Sequence, residues 1–268
     1  MKRVIGLIVM AAFLLCGIVA GAMFYRQYSD AKSSGDTFSE LQELVKQPEE
    51  TSASTEMNET TCNTTEGVEV PQETIIFDKY RPLFEQNNDL VGWIRIDGTG
   101  IDYPVMQTPS NPDYYLKHSF EKTWSDYGVP YVDASCTVGV SNNLIIYGHN
   151  MDNGSMFHDL TNYTKKSFWK KHPYVYILSD WGIFRYDIFA CYKAKITEPT
   201  YGLSFNETQT RQEFLDFALE KSKLDSQIVP ELTDQILTLS TCSGPNSNAR
   251  LVVQARMKMV EATIVVSE

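Results

Sequence analysis

Hydrophobic and polar positions along this chain fall into three regimes. Residues 4–25 form an unbroken run without a charged side chain, residues 29–73 are dominated by Ser, Thr, Glu, Gln and Asn, and from residue 74 onward short apolar stretches alternate with turn formers. An uncharged run of that length spans the hydrocarbon core of a bilayer at helical rise, so the first regime predicts one transmembrane helix. The second offers too little apolar surface to offset the entropy of ordering. It predicts mainly a flexible stalk, with a short helix at 37–46 where Phe38, Leu41, Leu44 and Val45 recur at helical spacing. The third leaves about 190 residues, enough for a single well-buried core.

Within the third regime, β-branched and aromatic residues concentrate at 92–96, 101–106, 129–132, 144–147, 174–178, 184–195, 236–239 and 251–257, separated by turn formers. So many short strands in one domain predict a mainly β fold, a barrel or a sandwich. Two segments carry helical periodicity instead, 77–87 and 211–224. In the second, Thr210 and Glu213 have the spacing of a capping box, and Phe214, Phe217, Ala218 and Leu219 form an apolar face that is expected to lie on the wall of the β domain.

Charge sets the topology. Lys2 and Arg3 precede the apolar run and only Arg26 follows it closely. The positive-inside tendency then leaves residues 1–3 in the cytoplasm, makes 4–25 a signal-anchor helix, and exports 26–73 as the stalk and 74–268 as the folded domain. A cleavable signal peptide competes with this reading, because Ala20-Gly21-Ala22 resembles a small-residue cleavage site, although the apolar run is longer than the usual core of such a peptide. The formal net charge is −11, and residues 1–26 hold basic but no acidic side chains, so the exported part is more acidic still. Such a surface is a poor binder of nucleic acid or any other polyanion.

Cysteines stand at 16, 62, 136, 191 and 242, with no CxxC pair and without the dense, even framework of a disulfide-stapled domain. One bridge among Cys62, Cys136 and Cys191 stays open. Unpaired thiols on an exported domain invite a catalytic explanation, and Cys242 is the natural candidate: Leu237 to Thr241 read as a strand that ends at this cysteine and is followed at once by Ser243-Gly244-Pro245. A thiol needs a neighbouring base or cation to act as a nucleophile. Of the four histidines, His149 ends another apolar strand, Leu144-Ile145-Ile146-Tyr147-Gly148. Arg250 lies across a short polar loop from Cys242 and opens the strand Leu251-Val252-Val253. There its guanidinium would stabilise an oxyanion or orient a carbonyl with a planar fork that lysine lacks. Each residue taken alone has an ordinary reading too: a packed cysteine, a turn histidine, a solvated strand-end charge.

Taken together the residues resemble a known family. Ser240-Thr241-Cys242 with Arg250, Tyr147-Gly148-His149-Asn150-Met151 and its continuation Gly154-Ser155-Met156-Phe157 resemble the active-site segments of class B sortases. Upstream, Val91-Gly92-Trp93-Ile94-Arg95-Ile96, Ile101-Asp102-Tyr103-Pro104-Val105-Met106-Gln107 and Asp113-Tyr114-Tyr115-Leu116 are similar to that class as well. The resemblance implies an eight-stranded barrel with N-terminal helices and a long helix between its sixth and seventh strands. It implies a cysteine transpeptidase of Gram-positive bacteria that cleaves a sorting signal near the C-terminus of exported proteins through a thioester. The acyl part then passes to an amine of the cell wall. Cys242 would be the nucleophile, His149 the acid and base, Arg250 the charge stabiliser. Ser240 and Tyr201 would contact the signal, which in class B relatives tends to begin Asn-Pro or Ser-Pro. Asp152 and Asp159 follow the histidine closely, yet their spacing gives no reason to complete a triad with either. The sequence holds no HExxH, EF-hand loop or P-loop, so no metal or cofactor is expected.

Two other readings stand beside this one. Water would resolve the same thioester in a cysteine endopeptidase, and a structural thiol would leave a non-enzymatic surface module.

Overall fold

The computed structural model describes residues 2–46, 80–180, 182–203, 205, 208–244 and 248–262. Eight strands close into a barrel in the order β1-β2-β3-β4-β7-β8-β6-β5. They are β1 Leu90–Arg95, β2 Asp102–Met106, β3 Tyr131–Val132, β4 Asn143–Tyr147, β5 Tyr174–Ser179, β6 Gly182–Ala194, β7 Ile236–Cys242 and β8 Arg250–Ala262. All eight expected strands are present. β3 shrinks to two residues, joined to β2 by the single parallel pair Met106↔Tyr131. β7 and β8 run longer than their apolar cores suggested: they pair with each other from Ile236↔Arg256 to Cys242↔Arg250, carrying polar residues into the ladder, and β8 continues along β6 to Gly182↔Ala262.

Burial along β6 shows how the wall is covered. Its first half alternates buried and half-buried positions, and from Ile188 to Tyr192 both faces are buried. The change comes where the helix α4 (Thr208–Lys221) crosses the outside of the barrel, with Phe214, Leu215 and Ala218 closing on Phe189, Tyr192, Ile236 and Val252. The helix lies between the sixth and seventh strands, as expected. Its start differs: it begins at Thr208, so Thr210 falls inside the helix and does not cap it. Arg211 is buried beside Phe205 and Phe214, at 4.7 and 5.2 Å from the ring centroids, and donates to the Leu232 and Asp234 carbonyls. Its face is therefore Arg211, Phe214, Leu215 and Ala218, with Phe217 and Leu219 at the margin.

The largest departure lies at the N-terminus. A single helix α1 runs from Lys2 to Lys46, 45 residues without a break. Residues 26–46 were expected to be mainly stalk, with helix only at 37–46. They are helical throughout because Phe38 and Leu41 sink into the barrel core with Ala31 and Val45 against its edge, which supplies the apolar burial that the stretch lacks by itself. A further helix, α2, is described over residues 80–86; a short one, α3 Lys166–Lys171, precedes β5. The expected boundary at residue 74, the start of the helix expected at 77–87, and Cys62 lie outside the described residues.

Candidate active site

Strand direction brings the three singled-out residues to one rim. β4 and β7 are parallel neighbours in register Tyr147↔Ser240, so the chain leaves both at the same end of the barrel. Two residues beyond that pair stand His149, just past β4, and Cys242, the last residue of β7. β8 returns antiparallel, and its first residue Arg250 is the rung opposite Cys242. Arg250 Nη1 donates to Cys242 Sγ at 3.3 Å. All three line a cleft of about 480 Å³ with Pro112, Asp113, Leu116, Tyr131, Asp133, Tyr147 and Ile196.

His149 is held from two sides. Its Nε2 lies 2.8 Å from the Leu116 carbonyl. A carbonyl only accepts, so Nε2 carries the hydrogen and Nδ1 is the nitrogen left to exchange a proton. Its own carbonyl accepts the Phe157 amide at 2.8 Å, and the Phe157 ring lies so close beneath Gly148 that a Cβ there would stand 2.6 Å from it. Burial holds the imidazole below its ordinary value of 6.5, against the Leu116 bond, which pulls it up. Two of the other histidines are tied elsewhere, His118 Nδ1 donating to the Tyr114 carbonyl and His172 Nδ1 to the Asp97 carbonyl, both at 2.7 Å, while His158 Nδ1 is buried with no partner among the described residues. Asp159 accepts the Gly100 amide and the Asn162 side chain, a loop tie and no part of a triad.

Ser240 and Tyr201 meet: their hydroxyls lie 2.9 Å apart. Ser240 is buried on the cleft floor, while Tyr201 stands behind it and stacks on Tyr147 at 6.5 Å. The turn that carries Tyr201 hangs on Asn143, which donates to the Thr200 and Gly202 carbonyls at 3.1 and 2.9 Å. Behind Asn143 runs a buried chain of hydrogen bonds. Thr238 donates to Asn143, Gln254 to Thr238, and Tyr192 to Gln254.

Several contributors escaped the sequence. Asn150 donates to the Cys242 carbonyl at 3.1 Å, and Tyr147 OH to Asp133 at 3.1 Å. Leu116 acts through its carbonyl, which any residue supplies. Thr241 is buried next to Cys242, its hydroxyl without a partner among the described residues. Cys136 and Cys191 are free and buried, and burial pushes the Cys191 thiol up to about 12. Such thiols are inert packing groups.

Residues 94–258 match the sortase domain family. Sortase B of Staphylococcus aureus is 34% identical over 184 residues, 66% of this chain and 75% of that protein. Sortase B of Listeria monocytogenes is 35% identical over 183 residues, 67% and 74% of the two. A solved complex of the Staphylococcus aureus sortase B with substrate superposes with a TM-score of 0.64 at 32% identity, covering 69% of this chain and 86% of that one.

Proposed function

The chain belongs to the sortase family, in its class B branch, and on that premise we propose that it is a membrane-anchored cysteine transpeptidase. The observation that carries the reading is the guanidinium of Arg250 at 3.3 Å from the Cys242 sulfur, in one cleft with His149.

That geometry supports the following steps. With its proton on His149 Nδ1, the Cys242 thiolate bonds to the scissile carbonyl carbon of a sorting signal, and the π electrons move onto the carbonyl oxygen. Arg250, beside the sulfur, stabilises that negative charge. Collapse breaks the C–N bond, and the departing amine takes a proton from His149 Nδ1, leaving a thioester. An acceptor amine attacks the thioester carbon and gives its proton back to Nδ1, and the Cys242 thiolate leaves. One imidazole serves as acid and then as base, so its charge state is restored at each turnover. Because burial disfavours the imidazolium, a minority of molecules carries the proton needed for the first half at neutral pH.

Ser240 forms part of the floor for the signal, Tyr201 supports it from behind through their hydroxyl contact, and exposed Ile196 stands at the mouth. The apolar part of α1, long and apolar enough to cross a membrane, holds the enzyme on the outer face of the cell membrane. The substrates are exported proteins with a sorting signal, and the acceptor is an amine of the peptidoglycan or its precursor.

Mass spectrometry of the full chain in detergent, mixed with peptides beginning Asn-Pro or Ser-Pro and with or without a glycine-peptide amine, tests this. The expected result is an adduct with the mass of the N-terminal fragment, absent in Cys242→Ala, and a ligated product only when the amine is present. Hydrolysed peptide alone, with the amine present, would make the protein an endopeptidase. No adduct from any peptide, together with a Cys242 that resists a small thiol reagent, would sink catalysis altogether.

A further inference from the structure

The barrel ladder closes on itself strand by strand without α1, yet residues 30–42 of that helix are bound closely to the domain. Their contacts converge on the two segments that hold His149.

On one side, Asp30 Oδ2 accepts the Asp126 amide at 2.6 Å and Ser34 Oγ lies 3.2 Å from Ser125 Oγ. The Ser125 amide donates to the Lys117 carbonyl at 2.9 Å, one residue from Leu116, whose own carbonyl receives the His149 Nε2 hydrogen. On the other side, Phe38 packs edge-on against Tyr103 with ring centroids 5.1 Å apart. Tyr103 OH accepts the Met156 amide at 3.0 Å. Met156 is buried with φ +58°, a conformation that costs a non-glycine residue energy unless its surroundings impose it. Its neighbour Phe157 donates to the His149 carbonyl. Asn153 ties the two segments together through Tyr127 OH at 3.2 Å.

We propose that the docked half of the anchor helix is a brace for the catalytic histidine, with Asp30, Ser34 and Phe38 as positioning residues that act through Tyr103, Met156 and Ser125. The inference rests on the transfer reading for its kinetic consequence, while its structural content is measurable without any activity.

Two measurements on the full chain in detergent decide it. Hydrogen exchange followed by mass spectrometry compares the wild type with Phe38→Ala and Tyr103→Phe. Faster exchange confined to residues 113–127 and 149–157, with β4 and β7 unchanged, is the expected result. Unchanged exchange in both segments, or an equal rise over the whole barrel, overturns the proposal whether or not transfer is ever detected. In peptide transfer, both variants should lose about tenfold in kcat with KM for the peptide held within about twofold. Phe38→Leu, which refills the apolar contact, should recover most of the rate, and Leu44→Ala, on the exposed side of the helix, should cost nothing. Wild-type kcat in both loosened variants, or a loss that resides in KM and is not recovered by Phe38→Leu, would reduce α1 to a tether. Absence of acyl-enzyme in the wild type would instead sink the transfer reading, leaving the exchange data to judge the brace.

Discussion

Arg250 reaches the Cys242 sulfur through one nitrogen of a planar fork, and among the described residues its other nitrogens have no hydrogen-bond acceptor, so they can meet an oxygen that arrives with substrate. Arg250→Lys keeps the charge and loses that geometry, so kcat/KM for transfer should fall about 10²-fold with the melting temperature nearly unchanged. An equal rate in the lysine variant would show that charge alone suffices. Gly148 is constrained differently, by the Phe157 ring at 2.6 Å from any Cβ. Gly148→Ala must push the 149–157 segment away, and kcat should drop by about tenfold or more while Cys242 still alkylates. The convergence of Cys242, His149 and Arg250 on one cleft was legible in the sequence because each stands where an apolar strand meets turn residues. Leu116 was not, since a backbone carbonyl leaves no mark on residue identity. Neither was Asn150, whose contact with the Cys242 carbonyl spans 92 positions of sequence.

Between elements, the turn bearing Tyr201 has no ladder of its own and depends on Asn143 at the start of β4. Asn143→Ala leaves the buried Thr200 carbonyl, the half-buried Gly202 carbonyl and the Thr238 hydroxyl short of partners, at a cost of about 1–3 kcal/mol. With the turn released, KM for a sorting peptide should rise several-fold more than kcat falls, and equal changes in both would deny the turn a part in binding. This network was invisible beforehand: its members lie on four strands and a loop, and only the barrel order places β4, β7, β8 and β6 side by side. The strands themselves were readable, since alternation and β-branching report local burial. α4 was found but misplaced by a few residues, because a buried arginine wrapped by two phenylalanines has no counterpart in a simple apolar face. In α1 the helix at 37–46 was read correctly and 26–36 was missed, because a stretch with few apolar residues reads as stalk until the surface that buries Phe38 and Leu41 is known.

At the scale of the molecule, the depressed His149 titration couples the fold to pH. The unfolded chain takes up this proton first as pH falls, so the contribution is complete above about pH 6.5 and is lost as pH drops through the lower native value. The denaturation midpoint should decline from about pH 7 to about pH 5, and less steeply in His149→Asn; equal slopes would assign the decline to other groups. Topology has its own reporter, because Cys16 sits in the apolar run and Cys242 in the cleft. In a Cys62→Ser background, a membrane-impermeant thiol reagent should label Cys242 on intact cells and reach Cys16 only after detergent. Labelling of Cys242 only after lysis would invert the proposed orientation. The unbroken course of α1 also sets a length. From Tyr25, where the apolar run ends, to Gln42, which donates to the Asp102 carbonyl at 2.7 Å, the helix rises about 25 Å. With the run in a bilayer, that segment works as a ruler: it fixes the cleft at one altitude and one compass bearing above the lipid. A flexible tether would let the enzyme sweep a volume of wall; a rigid post confines it to a thin layer near the membrane. On the proposed transfer reading, both partners of the reaction would then have to be delivered into that layer.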